Sequence, residues 1–459
     1  MDKYITKKEK ASYGFAASAS YMLAAVTQSY LMYFFTDIAI LSASFVMCLM
    51  IIARVWDALN DPIMGLIIEK TNSKHGKMRP HIFIGAFCIL TTSILLFVPI
   101  GDANNLFKMI YATVIYLLYG MSYTLVDVPA MGLMSVSTPN SEERASLLSF
   151  YVTVGTIGGL LPIGILPIME SFIPEKWLYL ILAILSGVMA FVGYMLLFKN
   201  AKERFTTKTE KYKIKQIIKI AGKNKPMLLT FLMSMIASPR YLIMPVIIYV
   251  ANYVVHIGSL GSGSILLILY VIIGSGMFGG ILLTPYVYKK IGYKTTSLIF
   301  AIVGGLGFTI AFLIYKVNVY VSFPFLTIGG LGLGAYNVLP YPMVGDSLDY
   351  LEWKTGERME GMCFSLNSFV TKFNNAVGFI GLALGLIIFQ FVEPIVVGEP
   401  LPQSQFTLDG FYALMTIVPG ISFLLSMIPI FFYDYDKQKR KNILNELNEK
   451  RNGVKNESN

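Results

Sequence analysis

Apolar residues run along this chain in long stretches broken by short polar turns, and each stretch reaches the ~20 residues a helix needs to cross a hydrocarbon layer. On that criterion twelve spanning helices are expected, at roughly 11–35, 42–68, 80–100, 106–136, 143–169, 176–198, 226–254, 262–288, 294–315, 321–345, 361–392 and 408–433. Several exceed the minimum length, which permits tilt or kinks. Composition agrees: of 459 residues, 55% are hydrophobic and 14% charged, against roughly 25% charged in soluble domains. Too little polar surface remains to cover a water-soluble globule, so lipid is the solvent for most of the chain. The expected class is an all-α polytopic membrane protein.

The net charge of +10 matters through its placement. Basic residues gather in alternate loops: at the N-terminus, at Lys70, Lys74, Lys77 and Arg79, at Arg144, in a long central loop, at Lys289, Lys290 and Lys294, at Lys354 and Arg358, and at Lys437, Lys439, Arg440 and Lys441. The intervening loops hold Lys108, Lys176 and Lys316. The positive-inside rule then places both termini in the cytoplasm, with the chain multi-pass in the cell membrane. The basic excess reads as topology, not as a nucleic-acid footprint. Lys3, Lys7, Lys8 and Lys10 ahead of an apolar stretch look like a signal peptide. The stretch continues to about Phe35, however, and is read as an uncleaved first helix. Cys48, Cys88 and Cys363 lie in apolar runs without pairing spacing and are expected as packed thiols. His75, His81 and His256 have no metal-ligand spacing.

Four regions follow: a six-helix bundle over 1–198, a basic cytoplasmic linker over 199–225, a second six-helix bundle over 226–433, and a polar, loosely ordered cytoplasmic tail over 434–459. Within the linker, Tyr212 to Ile220 reads equally as a short amphipathic helix on the inner leaflet or as solvated chain. The halves echo each other. GLIIEKTNSKHGKMRP follows the second span and GGILLTPYVYKKIGYK the eighth, which suggests the parallel repeats of the major facilitator fold, with a solute site between the halves near mid-membrane.

Six charges fall inside spans: Arg54, Asp57, Asp61, Asp127, Arg240 and Lys372. Each costs about 2.5–3.5 kcal/mol on insertion scales, and simple mutual pairing is the structural reading of three cations and three anions. Arg54, Asp57 and Asp61 share one helix face at i, i+3 and i+7. Asn60 adds an amide oxygen, and Pro62 frees the carbonyl of Ala58. Hard oxygen ligands of this kind suit Na⁺, and the same carboxylates can carry H⁺. In TLVDVP, Thr124 lies one turn before Asp127, and Pro129 frees the carbonyl of Leu125. A third carboxylate needs a compensating cation, which Lys372 can supply. Arg240 either pairs with a backbone carbonyl or contacts an anionic solute group.

Three segments resemble the glycoside-pentoside-hexuronide:cation symporters, the family of the melibiose permease: YLMYFFTD at 30–37, ARVWDALNDPIMGLIIEKTNSKHGKMRP at 53–80 and GDSLDYLEWKTGERMEGM at 345–362. The resemblance implies cation-coupled symport of a sugar or glycoside by alternating access, with no enzyme activity and no cofactor beyond a coupling cation, Na⁺ or else H⁺ or Li⁺. It implies a Na⁺ site at Asp57, Asn60, Asp61 and Thr124. It further implies solute contacts at Asp61, Asp127, Lys372 and Ser368, and gating salt bridges among Arg144, Asp346, Asp349, Glu352, Lys354 and Arg358. The chain departs from the melibiose permease in three places. Tyr21, beside Ser20, stands for a sugar-binding aspartate, Met131 for an aromatic platform, and the fifth-span arginine falls near Val152. The cation site is thus intact while the galactoside site is not, which points to another glycoside, pentoside or uronide, or to a more distant solute. Tyr21 and Arg240 remain candidate solute contacts.

Three other readings fit less well. An intramembrane aspartyl protease needs two aspartates in a different setting, and Gly345-Asp346 lacks the GxGD sequence. A channel needs a continuous polar lining. A non-transporting solute sensor would share the same site.

Overall fold

A computed structural model describes residues 4–138, 141–170, 172–204, 222–356, 360–393, 401–435 and 438–447; some helical side chains within these ranges, including those of Asp61, Arg144 and Ser368, lie outside the description. Among the described residues every regular element is helical. The elements are α1 (Lys7–Tyr33) with a π-turn at Phe34–Ile38, α2 (Ala43–Lys70), α3 (Arg79–Leu96), α4 (Asn105–Ser137), α5 (Ser141–Glu170) and α6 (Glu175–Asn200). There follow α7 (Lys225–Ile236), a 3₁₀ turn at Ser238–Leu242, α8 (Ile243–Tyr249) with a π-turn at Val250–Val254, α9 (Ser262–Ile291), α10 (Tyr293–Tyr315), α11 (Val319–Val338), α12 (Pro340–Thr355) and α13 (Glu360–Ile388). The last are α14 (Gln405–Met415), α15 (Ile417–Leu425), α16 (Met427–Phe431) and a helix over 438–447, here α17.

Nine helical stretches among the described residues are long and apolar enough to cross a bilayer, or ten when the bent pair formed by α7 and residues 238–254 counts as one span. Twelve were expected, and the difference lies in α1 and α2. At 27 and 28 residues they have the length, about 40 Å at 1.5 Å per residue. α1 is rich in Ala, Ser, Thr and Tyr, which lowers its mean hydropathy, while in α2 only the apolar stretch Ala43–Arg54 is described without interruption.

The chain forms two compact units. Unit 1 comprises residues 1–209 with two excursions from later in the chain, 258–267 and 386–404; unit 2 comprises 210–257, 268–385 and 405–459. In unit 1, α1 is the central helix, packed on α5 and α6, while α3 packs on α4 and α6 and α2 packs on α4. Small residues allow this: Gly193 of α6 lies against the Ala16 backbone, where an added Cβ would come within 3.0 Å of Ala16 Cα. The basic turn before α3 is held from behind. Glu203 accepts hydrogen bonds from the amides of Lys77, Met78 and Arg79 at 2.9, 2.8 and 3.2 Å. Gly76 has φ +93°, and any side chain there would collide with the Glu203 carboxylate. Arg79 completes the staple by donating to the Phe198 carbonyl at 2.6 Å.

In unit 2 the glycine-rich α11 uses opposite faces. Gly330 and Gly334 lie on the carbonyls of Ile273 and Met277 in α9, while Gly329 and Gly332 meet Phe308 and Gly304 of α10. Small residues permit such backbone approach where lipid removes the hydrophobic drive for association.

Two expectations are corrected here. The tail is not loose over 438–447. Arg440 pairs with Asp346 of α12 at 2.8 Å, Trp353 Nε1 donates to Glu446 at 2.6 Å, and Ile443 and Leu447 are buried. Apolar positions at 443 and 447 give one turn of helix a face to bury, a signal too short to stand out in a polar stretch. Nor are all three cysteines packed: Cys363 is buried and Cys88 partly so, but Cys48 is exposed on an apolar face of α2 with Ile51 and Ile52. The candidate amphipathic helix at Tyr212 to Ile220 lies outside the described residues.

Candidate functional site

α2 and α4 run side by side in register. Arg54 and Asp57, one turn apart on α2, form an ion pair at 3.2 Å. Both reach α4: Arg54 Nη2 donates to Tyr116 OH at 3.4 Å, and Asp57 Oδ1 stands where a Cβ at Gly120 would approach to 2.9 Å. Glycine at 120 therefore lets the carboxylate lie on the α4 backbone. Tyr116 and Gly120 are one turn apart, as are Gly120 and Thr124, so helical periodicity brings position 61 level with Thr124, and Asp127 follows. Thr124 and Asn60 are buried, and Asn60 Nδ2 has no hydrogen-bond partner among the described residues. The side chain of Asp61, on which the expected ligand set depends, lies outside the description. Among the described residues no three His, Cys, Asp or Glu side chains cluster as a metal site.

Toward α1 the same face of α4 carries tyrosines. Tyr119 OH shares a hydrogen bond of 2.9 Å with Thr27 Oγ1, and Tyr123 OH one of 3.2 Å with Ser20 Oγ. Tyr21 meets the ring of Tyr151 edge-on at 6.3 Å and packs on Gly155 of α5, where a Cβ would come to 2.9 Å. Asp127 lies within electrostatic reach of the Tyr123, Tyr151 and Tyr194 hydroxyls. The Tyr151 hydroxyl is buried without a hydrogen-bond partner among the described residues. Unit 1 thus joins Tyr21, Asp57, Asn60, Thr124 and Asp127 in one α1–α2–α4–α5 region. Sequence reasoning missed Tyr116, Tyr119, Tyr123 and Tyr151. The first three recur at i, i+3 and i+7 on the helix that carries Asp127, a spacing that was available to find them.

In unit 2, Arg240 is buried at the break after α7. Its Nη1 donates to the carbonyls of Ser234 and Ala237 at 3.1 and 2.7 Å, and its guanidinium sits 4.7 Å from the Tyr241 ring centroid. The guanidinium therefore caps carbonyls that the 42° bend releases from the helix ladder. Nearby, Asn374 of α13 donates to Ser234 Oγ at 3.0 Å while its Oδ1 finds no partner among the described residues. Lys372 is exposed two residues earlier; the side chain of Ser368 lies outside the description. Of the gating candidates, Asp346 is engaged by Arg440 and by the Tyr293 hydroxyl. Lys354 Nζ donates to the Lys223 carbonyl at 3.1 Å. Asp349 and Glu352 lie on the same helix, α12. Arg358 and the side chain of Arg144 lie outside the described residues.

A family model described as MFS/sugar transport protein matches residues 12–437. The symporter YjmB of Bacillus subtilis (strain 168) is 29% identical over 464 residues, covering 98% of this chain and 97% of that one. The isoprimeverose transporter of Lactiplantibacillus pentosus is 29% identical over 451 residues, covering 94% and 90%. Among solved structures, a bacterial homologue of the human lysosomal transporter Spinster superposes with a TM-score of 0.65 at 12% identity, covering 94% of this chain and 98% of that one. At that identity the likeness concerns the fold.

Proposed function

The chain belongs to the MFS/sugar transport protein family, and from that premise we propose that it is a secondary active symporter coupling Na⁺ to uptake of a sugar or glycoside. It is a multi-pass membrane transporter and not an enzyme. The observation that carries the finer reading is the Arg54–Asp57 pair laid on α4 at Gly120, one turn from Thr124 and two from Asp127. An acid held by an internal counter-charge within the membrane is stable while empty. It becomes a cation ligand when Na⁺ takes over the charge that Arg54 supplies. Asp57, Asn60, Asp61 and Thr124 offer the oxygen ligands, and Asp61 and Asp127 carry the effect toward the solute.

The solute then meets the α1–α4–α5 tyrosines and Asp127, with Lys372 as a further proposed contact. Hydroxyls and a carboxylate fit the hydroxyl groups of a sugar, and names among the relatives, such as isoprimeverose transporter, support a sugar. Cation binding shifts the carrier's populations only as far as it binds the two states unequally. The charge change at Asp57 supplies that inequality. The alternation of basic loops supports both termini on the cytoplasmic side of the cell membrane.

The test is uptake by purified protein in liposomes, over a panel of glycosides, pentosides and uronides. Saturable uptake that rises with an inward Na⁺ gradient is expected. Uptake driven by pH and indifferent to Na⁺ would move the same carboxylates to proton coupling; binding without accumulation would make the protein a sensor.

A further inference from the structure

The described parts of the excursions, 258–267, 386–393 and 401–404, belong to unit 1 and meet it at the end of the bundle where α2 begins and α5 ends, opposite the start of α1. The main contact is charged. Glu393 Oε1 accepts a hydrogen bond of 2.6 Å from the amide of Ala43, the first residue of α2. The first amides of a helix lack partners within it, and the N-terminal end of the helix dipole favours an anion. Ser42 caps Phe45 N at 3.4 Å, so Glu393 takes an amide that Ser42 does not. A second contact lies nearby in unit 1, where Ser262 Oγ donates to Glu170 Oε1 at 2.9 Å.

Backbone strain flanks the main contact on both sides. Among the described residues two non-glycine positions have positive φ: Ile40 at 53° and Gln390 at 55°. Each lies three residues before a partner in the contact, Ile40 before Ala43 and Gln390 before Glu393. For a β-branched residue such a φ is an outlier, of the kind retained only where the surroundings over-determine it. Here they do. Lys108 Nζ donates to the Ile40 carbonyl at 2.9 Å, and the Gln403 side-chain amide pairs with Val392 N and O at 3.0 and 2.8 Å.

We propose that Glu393 is a positioning residue that latches the free end of the cation-site helix α2, and that Ile40 and Gln390 are the strained hinges on which this latch closes and releases. Resting on the alternating-access reading above, the latch holds the start of α2 within unit 1 in one of the carrier's states. α2 carries Asp57, so the latch ties that state to the helix that holds the coupling charge. Release lets both hinge residues relax to ordinary φ.

The test uses the full chain in membranes with Cys48, Cys88 and Cys363 replaced by alanine. A single cysteine in A43C is labelled with a membrane-impermeant maleimide from the side of the membrane at which α2 begins. We expect E393Q to raise the labelling rate about tenfold, the scale of one charge-assisted hydrogen bond, and E393D to fall between. The pair A43C/E393C, oxidised, should stop solute uptake, and dithiothreitol should restore it. E393Q should slow turnover and shift the half-saturating Na⁺ concentration, because release changes the populations of two states that bind Na⁺ unequally. Labelling within twofold of the parent in E393Q, or undiminished uptake by the cross-linked pair, would overturn the latch. The labelling needs no solute. Labelling that depends on Glu393 in a protein carrying no sugar would therefore uphold the latch and sink the sugar-symport reading.

Discussion

Arg54 and Asp57 form an ion pair across one turn of α2, and the carboxylate of that pair rests where Gly120 leaves α4 bare. The pair and the gap belong together: without the gap Asp57 is pushed off α4, and without the pair it loses the counter-charge that Arg54 supplies at 3.2 Å. Asp57→Asn should abolish the Na⁺ stimulation of uptake while the protein still inserts. Uptake measured against a Na⁺ series in proteoliposomes decides it, and unchanged Na⁺ stimulation sinks the assignment of Asp57.

Gly120→Ala probes the same relationship from the other helix. The added methyl enters the space of Asp57 Oδ1, so the half-saturating Na⁺ concentration should rise about tenfold, equivalent to ~1.4 kcal/mol. Yield and thermal stability in detergent should change little. A variant with normal Na⁺ dependence would place the cation away from this face.

Tyr123→Phe removes a hydroxyl that bonds Ser20 and faces Asp127. A lost hydrogen bond near 1 kcal/mol predicts a KM for the solute about fivefold higher at similar Vmax. Tyr119→Phe, whose hydroxyl bonds Thr27, serves as the neighbouring comparison and should act mainly on stability. Equal kinetic effects of the two would remove Tyr123 from the solute's path.

Glu143 ties the start of α5 to the segment before α1. Partial burial works to raise its pKa, but hydrogen bonds from Thr138, Ile5 and Tyr4 and the charge of Arg204 outweigh it and hold the carboxyl below the ordinary carboxylate value. A depressed carboxylate contributes its stabilisation above the unfolded pKa and loses it as pH falls through the folded value. Amide exchange at Tyr4 and Ile5 should therefore be protected from neutrality down to about pH 4.5, and released only in stronger acid. Glu143→Gln should weaken that protection wherever the wild-type carboxylate is ionised and change little in stronger acid.

The arrangement of helices was largely legible in the sequence, because lipid forces long apolar runs into helices and leaves few alternatives. The expected fourth span, 106–136, meets α4 at Asn105–Ser137, and the sixth, 176–198, meets α6 at Glu175–Asn200. The bend after Ile236 was not foreseen. Pro239 and Arg240 mark it locally, but the carbonyls that Arg240 caps are a matter of three-dimensional closure. Asp57 and Asn60 stood out as candidates because a charge or amide inside a span has few innocent reasons to be there, and Thr124 because it lies one turn before Asp127. The tyrosines did not, since a tyrosine in an apolar run ordinarily packs. Glu393, Glu203 and Arg440 escaped for a different reason. Each sits in a polar stretch where charge is expected, and only its partner, roughly 90 to 350 residues away in sequence, gives it a role.

The glycine faces of α11 have a consequence of their own. Backbone meets backbone on both sides of this helix, at Gly330 and Gly334 toward α9 and at Gly332 toward α10, with the Phe308 ring laid on Gly329 beside the last. A side chain can change rotamer to absorb a shift, but a carbonyl lying on a glycine cannot. These three helices accordingly form a lamina that cannot shear within itself, and substitutions such as Gly334→Leu leave it no way to adjust. Change in what the protein carries must be written on the other helices, around a part whose own composition is fixed by sterics whatever the cargo.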